Sequence, residues 1–127
     1  MTRMTPLLGR NEQFARTYTP AALGLPTAQV VVVACLDHRV DLAVVHHTQC
    51  GTGFLADPGF RQQAAAATGL PEAALEASAV TDPHTTVKAD VERLLTSPLL
   101  SPKVSVSGHV YDIATGRITT TVDARYP

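Results

Sequence analysis

Gln29-Val30-Val31-Val32-Val33-Ala34-Cys35, then Leu36-Asp37-His38-Arg39-Val40-Asp41, then Leu42-Ala43-Val44-Val45-His46-His47-Thr48-Gln49-Cys50-Gly51, is the stretch on which the reading of the fold turns. A short run that is nearly all valine reads as a strand buried on both faces. Leu42 to His46 is a second apolar run of strand length. Each run ends on residues that carry chemistry. Cys35 closes the first, with Asp37 and Arg39 at alternating positions after it, and His47 and Cys50 close the second.

Working outward, residues 6–18 form a short helix, with Thr5 as N-cap and Pro6 in the first turn. Thr19-Pro20 and Leu25-Pro26 separate it from the valine run. Downstream, Asp57-Pro58 opens a helix that runs to about Thr68 and stops at Gly69 and Pro71. A shorter helix follows from Pro71 to Ser78. Asp82-Pro83 opens another, whose Val87, Val91, Leu94 and Leu95 share one face, and Ser97-Pro98 ends it. The period then changes to that of strands around Val104, Val106, His109 and Tyr111. Ala114-Thr115-Gly116 makes a turn, and Arg117 to Val122 returns as a second strand, which is a hairpin. The order predicts an α/β fold: a small mixed sheet with parallel core strands flanked by helices and a C-terminal β-hairpin, in one domain over residues 1–127.

Composition narrows the function classes. A formal net charge of -1 leaves no basic footprint for nucleic acid or an acidic membrane surface. No apolar run reaches membrane-spanning length, and Met1 to Arg10 lacks a secretory signal, so a cytoplasmic protein is expected. The two cysteines then read as thiols rather than a disulfide. Their spacing is not Cys-x-x-Cys, and neither a dinucleotide fingerprint nor a Walker pattern is present.

Two thiolates and an imidazole are a ligand set that zinc prefers, and three protein ligands leave the fourth tetrahedral position open. His47 and Cys50, with Gly51 behind them, can hold one ion together. Strand ends at the carboxyl edge of an open α/β sheet are where such sites form. Alone, a buried cysteine is more often packing, and His-x-x-Cys is a weak pattern. The combination with Cys-x-Asp-x-Arg is what makes the signal specific. Alternation turns His46 away from His47, toward packing or the surface. His38 is a shuttle candidate only by its ordinary pKa of about 6.5. Gly51 and Gly53 read as a tight turn, and His84 and His109 receive no role.

Val31-Val32-Val33-Ala34-Cys35-Leu36-Asp37-His38-Arg39 resembles the first metal motif of β-class carbonic anhydrases, and Val44-Val45-His46-His47-Thr48-Gln49-Cys50-Gly51 resembles the second. Gly108 to Gly116 looks like the family's penultimate strand and turn. The resemblance implies a zinc lyase that hydrates carbon dioxide reversibly to bicarbonate, with zinc-bound hydroxide as nucleophile. Cys35, His47 and Cys50 would be the zinc ligands. Asp37 would orient the hydroxide, and Arg39 would hold the Asp37 carboxylate off the metal; released, Asp37 would become a fourth ligand and close the site. The resemblance also implies that the first helix, with Leu7, Leu8, Phe14 and Tyr18, packs on a second subunit in a homodimer or larger homo-oligomer.

The chain departs from the family between the motifs, where Arg39-Val40-Asp41 runs almost directly into Leu42. Neighbouring parallel strands need a crossover of a dozen or more residues, and a hairpin would put Cys35 and His47 at opposite ends. Three readings are open. A stretch is missing from the chain, or Cys35 of one subunit joins His47 and Cys50 of another, or the chain is a decayed paralogue that folds differently or poorly. The alternative function is a catalytically inactive zinc-binding remnant of the family with a structural or regulatory role.

Overall fold

The computed structural model describes residues 4–20 and 41–127. The expected valine strand therefore lies outside the described residues. The elements are α1 (Thr5–Thr17), β1 (Leu42–His47), a 3-10 helix (Gly51–Ala56), α2 (Pro58–Thr68), α3 (Glu72–Ala77), α4 (Pro83–Leu95), β2 (Val106–Asp112) and β3 (Arg117–Arg125). The strands form a three-stranded sheet in the order β1-β2-β3. β1 runs parallel to β2, with Leu42 opposite Val106 and His47 opposite Tyr111. β2 and β3 are the antiparallel hairpin. The mixed α/β architecture expected from the sequence is thus observed, and α2, α3 and α4 supply the long crossover that a parallel pair requires.

Local chemistry sets the helix starts. The Asp57 carboxylate accepts from the Phe60 amide at 2.8 Å, and Pro58 fits the first turn, where its missing N–H costs nothing. Gly69 ends α2 in the left-handed region at φ 72°. Asp82 repeats the cap on α4 through the His84 amide at 3.1 Å. Thr5 does not cap α1: Met4 takes the N-cap position without a side-chain bond, and Thr5 is already helical. The Gly51-Thr52-Gly53 turn is also corrected, being the start of the 3-10 helix.

α4 covers one face of the sheet. Val87 and Val91 are fully buried, and Val91 joins Leu100, Val104 and Val106 in the core, flanked by Leu42, Val44, Leu94, Leu95 and Val122. Each buried valine contributes on the order of 1.5–3 kcal/mol by removal from water. Gly108 lets the helix come this close. A Cβ there would stand 3.0 Å from Val91 Cγ2 and 3.2 Å from Val122 Cβ and Cγ2. β3 carries an extra residue between its pairings with Gly108 and His109, so that Val122 faces the former and Thr120 the latter. The extra residue, Thr121, meets His84 Nδ1 at 3.0 Å.

α1 lies against β3. Leu8, Asn11, Ala15 and Tyr18 are half-buried at helical spacing. Asn11 donates to Gly116 O at 2.8 Å and accepts from the Ile118 amide at 2.6 Å, while the Tyr18 hydroxyl donates to Ile113 O at 2.9 Å. Gly116, at φ 69°, carries no Cβ where one would stand 2.5 Å from the Tyr18 ring. The apolar stripe expected to face a second subunit is therefore divided. Leu8 and Tyr18 turn inward on their own chain, and Leu7 and Phe14 stay half exposed, at 52% and 51%.

Replacing Gly108 with alanine tests the α4 contact. The added methyl meets two branched side chains in a packed core, and the expected loss is about 1–3 kcal/mol. Urea unfolding should show a lower midpoint with an unchanged slope. An unchanged midpoint would mean that α4 sits further from the sheet.

Candidate metal centre

β1 divides its side chains between two environments. Leu42, Val44 and His46 are half-buried, whereas Ala43, Val45 and His47 are exposed on the opposite side. His46 is held by α4. Its Nδ1 lies 2.8 Å from Thr86 Oγ1, and its Nε2 lies 3.0 Å from Asp90 Oδ2, whose other oxygen accepts from Arg93 at 3.0 Å. Both ring nitrogens are engaged, so His46 is a packed histidine and does not offer a lone pair to a metal.

His47 is placed differently. Its Nδ1 lies 2.8 Å from the Thr48 carbonyl oxygen, which only accepts, so Nδ1 carries the hydrogen. The neutral ring then keeps its lone pair on Nε2. A backbone carbonyl on one nitrogen is the usual way a ligating histidine is oriented. Thr48 anchors the loop to the end of β2. Its amide donates to Tyr111 O at 2.9 Å, and its hydroxyl accepts from the Ile113 amide at 3.1 Å and faces Asp112 Oδ1 at 3.4 Å. The Ala114 amide and then the Thr115 hydroxyl hold the Asp112 carboxyl below the ordinary carboxylate range, so this anchor stays ionised at neutral pH. Tyr111, opposite His47, is pushed up to about 12, first by its hydrogen bond with Tyr18 and then by burial, and remains a neutral phenol.

Gln49 turns the chain in the left-handed region at φ 54°, the only described residue other than glycine to do so. Cys50 follows this turn as the N-cap of the 3-10 helix. Cys50 is a free thiol, and its Sγ lies 3.0 Å from Thr52 Oγ1, a hydroxyl able to donate to a thiolate. His47 and Cys50 line one open depression of about 260 Å³ with Val45, His46, Thr52, Ser78 and Val80. Gly53 allows this wall to form, since a Cβ there would be 3.0 Å from Val80 O.

The donor chemistry of this pair, one imidazole nitrogen and one sulfur, fits zinc. Among the described residues, no three histidine, cysteine, aspartate or glutamate side chains converge on a common point. The third expected ligand, Cys35, lies outside the described residues, as do Asp37, Arg39 and His38. Thr52, Ser78 and Val80 were not singled out in the sequence. Only the Gly51-x-Gly53 pattern hinted that two backbones meet beside the loop.

No family model matches the chain, and no curated protein matches it. Among the solved structures similar to the chain is a carbonic anhydrase from Glaciozyma antarctica, 24% identical, with a TM-score of 0.48, and the match covers 65% of this chain and 51% of that one. The chain thus spans about half the length of that protein. No helix among the described residues is long and apolar enough to cross a membrane.

The strain at Gln49 can be measured. A left-handed conformation at a non-glycine residue costs on the order of 1–2 kcal/mol. Gln49→Gly should hold or raise the urea midpoint, whereas Gln49→Val, branched at Cβ, should lower it. Equal midpoints for the two variants would show that the turn is relaxed in solution.

Proposed function

We propose that the protein is a zinc-dependent carbonic anhydrase-like lyase that interconverts carbon dioxide and bicarbonate. The observation that carries the proposal is the meeting of His47, oriented by Thr48 with Nε2 left open, and Cys50 in one depression at the carboxyl end of a parallel strand. His47 and Cys50 would hold the metal from this side, and Cys35 would complete the set as the resemblance of its motif implies. Zinc, when bound, supplies a Lewis acid that makes water a nucleophile near neutral pH.

The residues around it have separable tasks. Val45 and Val80 give the depression an apolar wall, suited to an uncharged substrate. Thr52 Oγ1 stands 3.0 Å from the Cys50 sulfur, within hydrogen-bond reach of it. Asp37 would accept a hydrogen bond from the reacting water and fix its direction. Arg39 would pair with Asp37 through its forked donors and keep that carboxylate from ligating. Leu7 and Phe14, left exposed on α1, are available to a second copy in the homodimer that the reading implies.

A second reading, a zinc-binding remnant without hydration activity, is favoured by the short link from Cys35 to β1. Only residues 36–41 separate them, fewer than a parallel crossover needs.

The deciding experiment is metal content on protein of verified mass, paired with stopped-flow carbon dioxide hydration. The enzyme reading expects about one zinc per chain, as a three-ligand site holds a single ion, together with hydration. Cys35→Ser should lose the zinc, and unchanged metal content in it would remove Cys35 from the site. Arg39→Ala should keep zinc and lose activity, because Asp37 is freed to ligate. Zinc without hydration in the unaltered protein would establish the remnant instead.

A further inference from the structure

On the sheet face opposite α4, β2 carries a polar file where a core would ordinarily be apolar. Ser107 and His109 are 2% and 1% exposed. His109 Nε2 lies 2.8 Å from Ser107 Oγ, and its Nδ1 lies 3.2 Å from Thr120 Oγ1 on β3. Ser107 Oγ in turn donates to Leu42 O on β1 at 3.3 Å. With that hydrogen on Leu42 O, Ser107 accepts from Nε2–H, and Thr120 donates to Nδ1. One neutral imidazole thus ties all three strands together, every hydrogen bond satisfied.

A charged imidazole fits this place poorly. Both nitrogens would donate, so the Thr120 hydroxyl would have to reverse, and the charge would sit out of water. Burial accordingly holds the His109 pKa below its ordinary value, with Asp123 pulling weakly the other way. A cavity of about 370 Å³ stands beside the ring. It is lined by Ser107, His109 and Thr120, by Asp123 and Ala124, and by Met4, Thr5 and Leu8 at the start of α1 and its cap. Among the described residues the groups facing His109 are uncharged on β1, where Val45 is its partner, and on α1. On β3 Asp123 is the one charge.

We propose that His109 is an acid-operated latch on the part of α1 that precedes Asn11, which stays seated while the imidazole is neutral and lifts to admit water when it takes a proton. The second half of the helix stays anchored through Asn11 and Tyr18, whose partners lie at the hairpin turn away from the cavity. The sign follows from linkage. The seated state has the depressed pKa and the hydrated state the ordinary one of about 6.5. Seating is therefore complete above that value and is lost as pH falls from it toward the depressed one.

Amide hydrogen exchange read by mass spectrometry or NMR, corrected for intrinsic rate, tests this between pH 7.5 and 5.5. In the unaltered chain, exchange at the start of α1 should rise by up to about tenfold per pH unit below about 6.5, while α4 amides stay level. His109→Gln, whose amide can donate to Ser107 and accept from Thr120 but cannot titrate, should abolish the rise. Asp123→Asn, at an exposed position, should leave the onset near about 6.5 and carry the rise to lower pH before it levels off, since Asp123 lifts only the seated-state pKa. No rise in the unaltered chain, an equal rise in His109→Gln, or a rise in Asp123→Asn that levels off at the same or a higher pH would each overturn the latch. If His109→Gln does not fold, the Asp123→Asn comparison decides.

Discussion

The parallel ladder between β1 and β2 is the constraint on which the rest of the structure depends. It joins residues some sixty positions apart, from Leu42 with Val106 to His47 with Tyr111. A parallel pair cannot close without a long connection, and here that connection builds the 3-10 helix, α2, α3 and α4. α4 then returns across the sheet and buries Val87 and Val91 against it. The same ladder fixes where β1 stops, and so where His47 and Cys50 stand. A slip of one residue would exchange His46 with His47, putting the packed histidine on the exposed side of the strand and the candidate ligand under α4.

Alternation along β1 has a chemical consequence beyond packing. Two adjacent histidines have the same intrinsic ability to bind a metal, and their surroundings separate them. Thr86 and Asp90 occupy both nitrogens of His46, whereas one carbonyl occupies a single nitrogen of His47. What α4 supplies to the site is therefore selectivity among donors as well as support.

Much of this was legible in the sequence wherever the signal was local. Asp57-Pro58 and Asp82-Pro83 marked helix starts because the cap and the first turn are made by neighbours in the chain. Val87, Val91, Leu94 and Leu95 marked the buried face of α4 through their spacing alone. The hairpin was read correctly, although β3 runs on to Arg125, past the apolar pattern that ended at Val122. The failures share a cause. Asn11 binds backbone groups at Gly116 and Ile118, and nothing near it in the chain announces that partner. The seat of α1 on β3 was accordingly not read from the sequence. His109 carried no signal because a histidine in a strand is compatible with either face, and its burial depends on hydroxyls from two strands. Of the candidate site, the pairing of His47 with Cys50 came from the motif, whereas the wall at Ser78 and Val80 comes from an approach of backbones that only Gly53 permits.

The two faces of the sheet are built on opposite principles, and this bears on their dynamics. The α4 face is apolar and close-packed, so opening it would expose buried valines to water and cost most of what stabilises the fold. The α1 face is held by hydrogen bonds to backbone carbonyls and by hydroxyl groups, with no residue of α1 fully buried and a cavity beneath its first turns. Such a face can open locally without unfolding the sheet, because water can replace each bond it breaks. His47 and Tyr111 project on this side. The loop that carries His47 and Cys50 therefore follows a strand that α4 anchors through His46 on its other side.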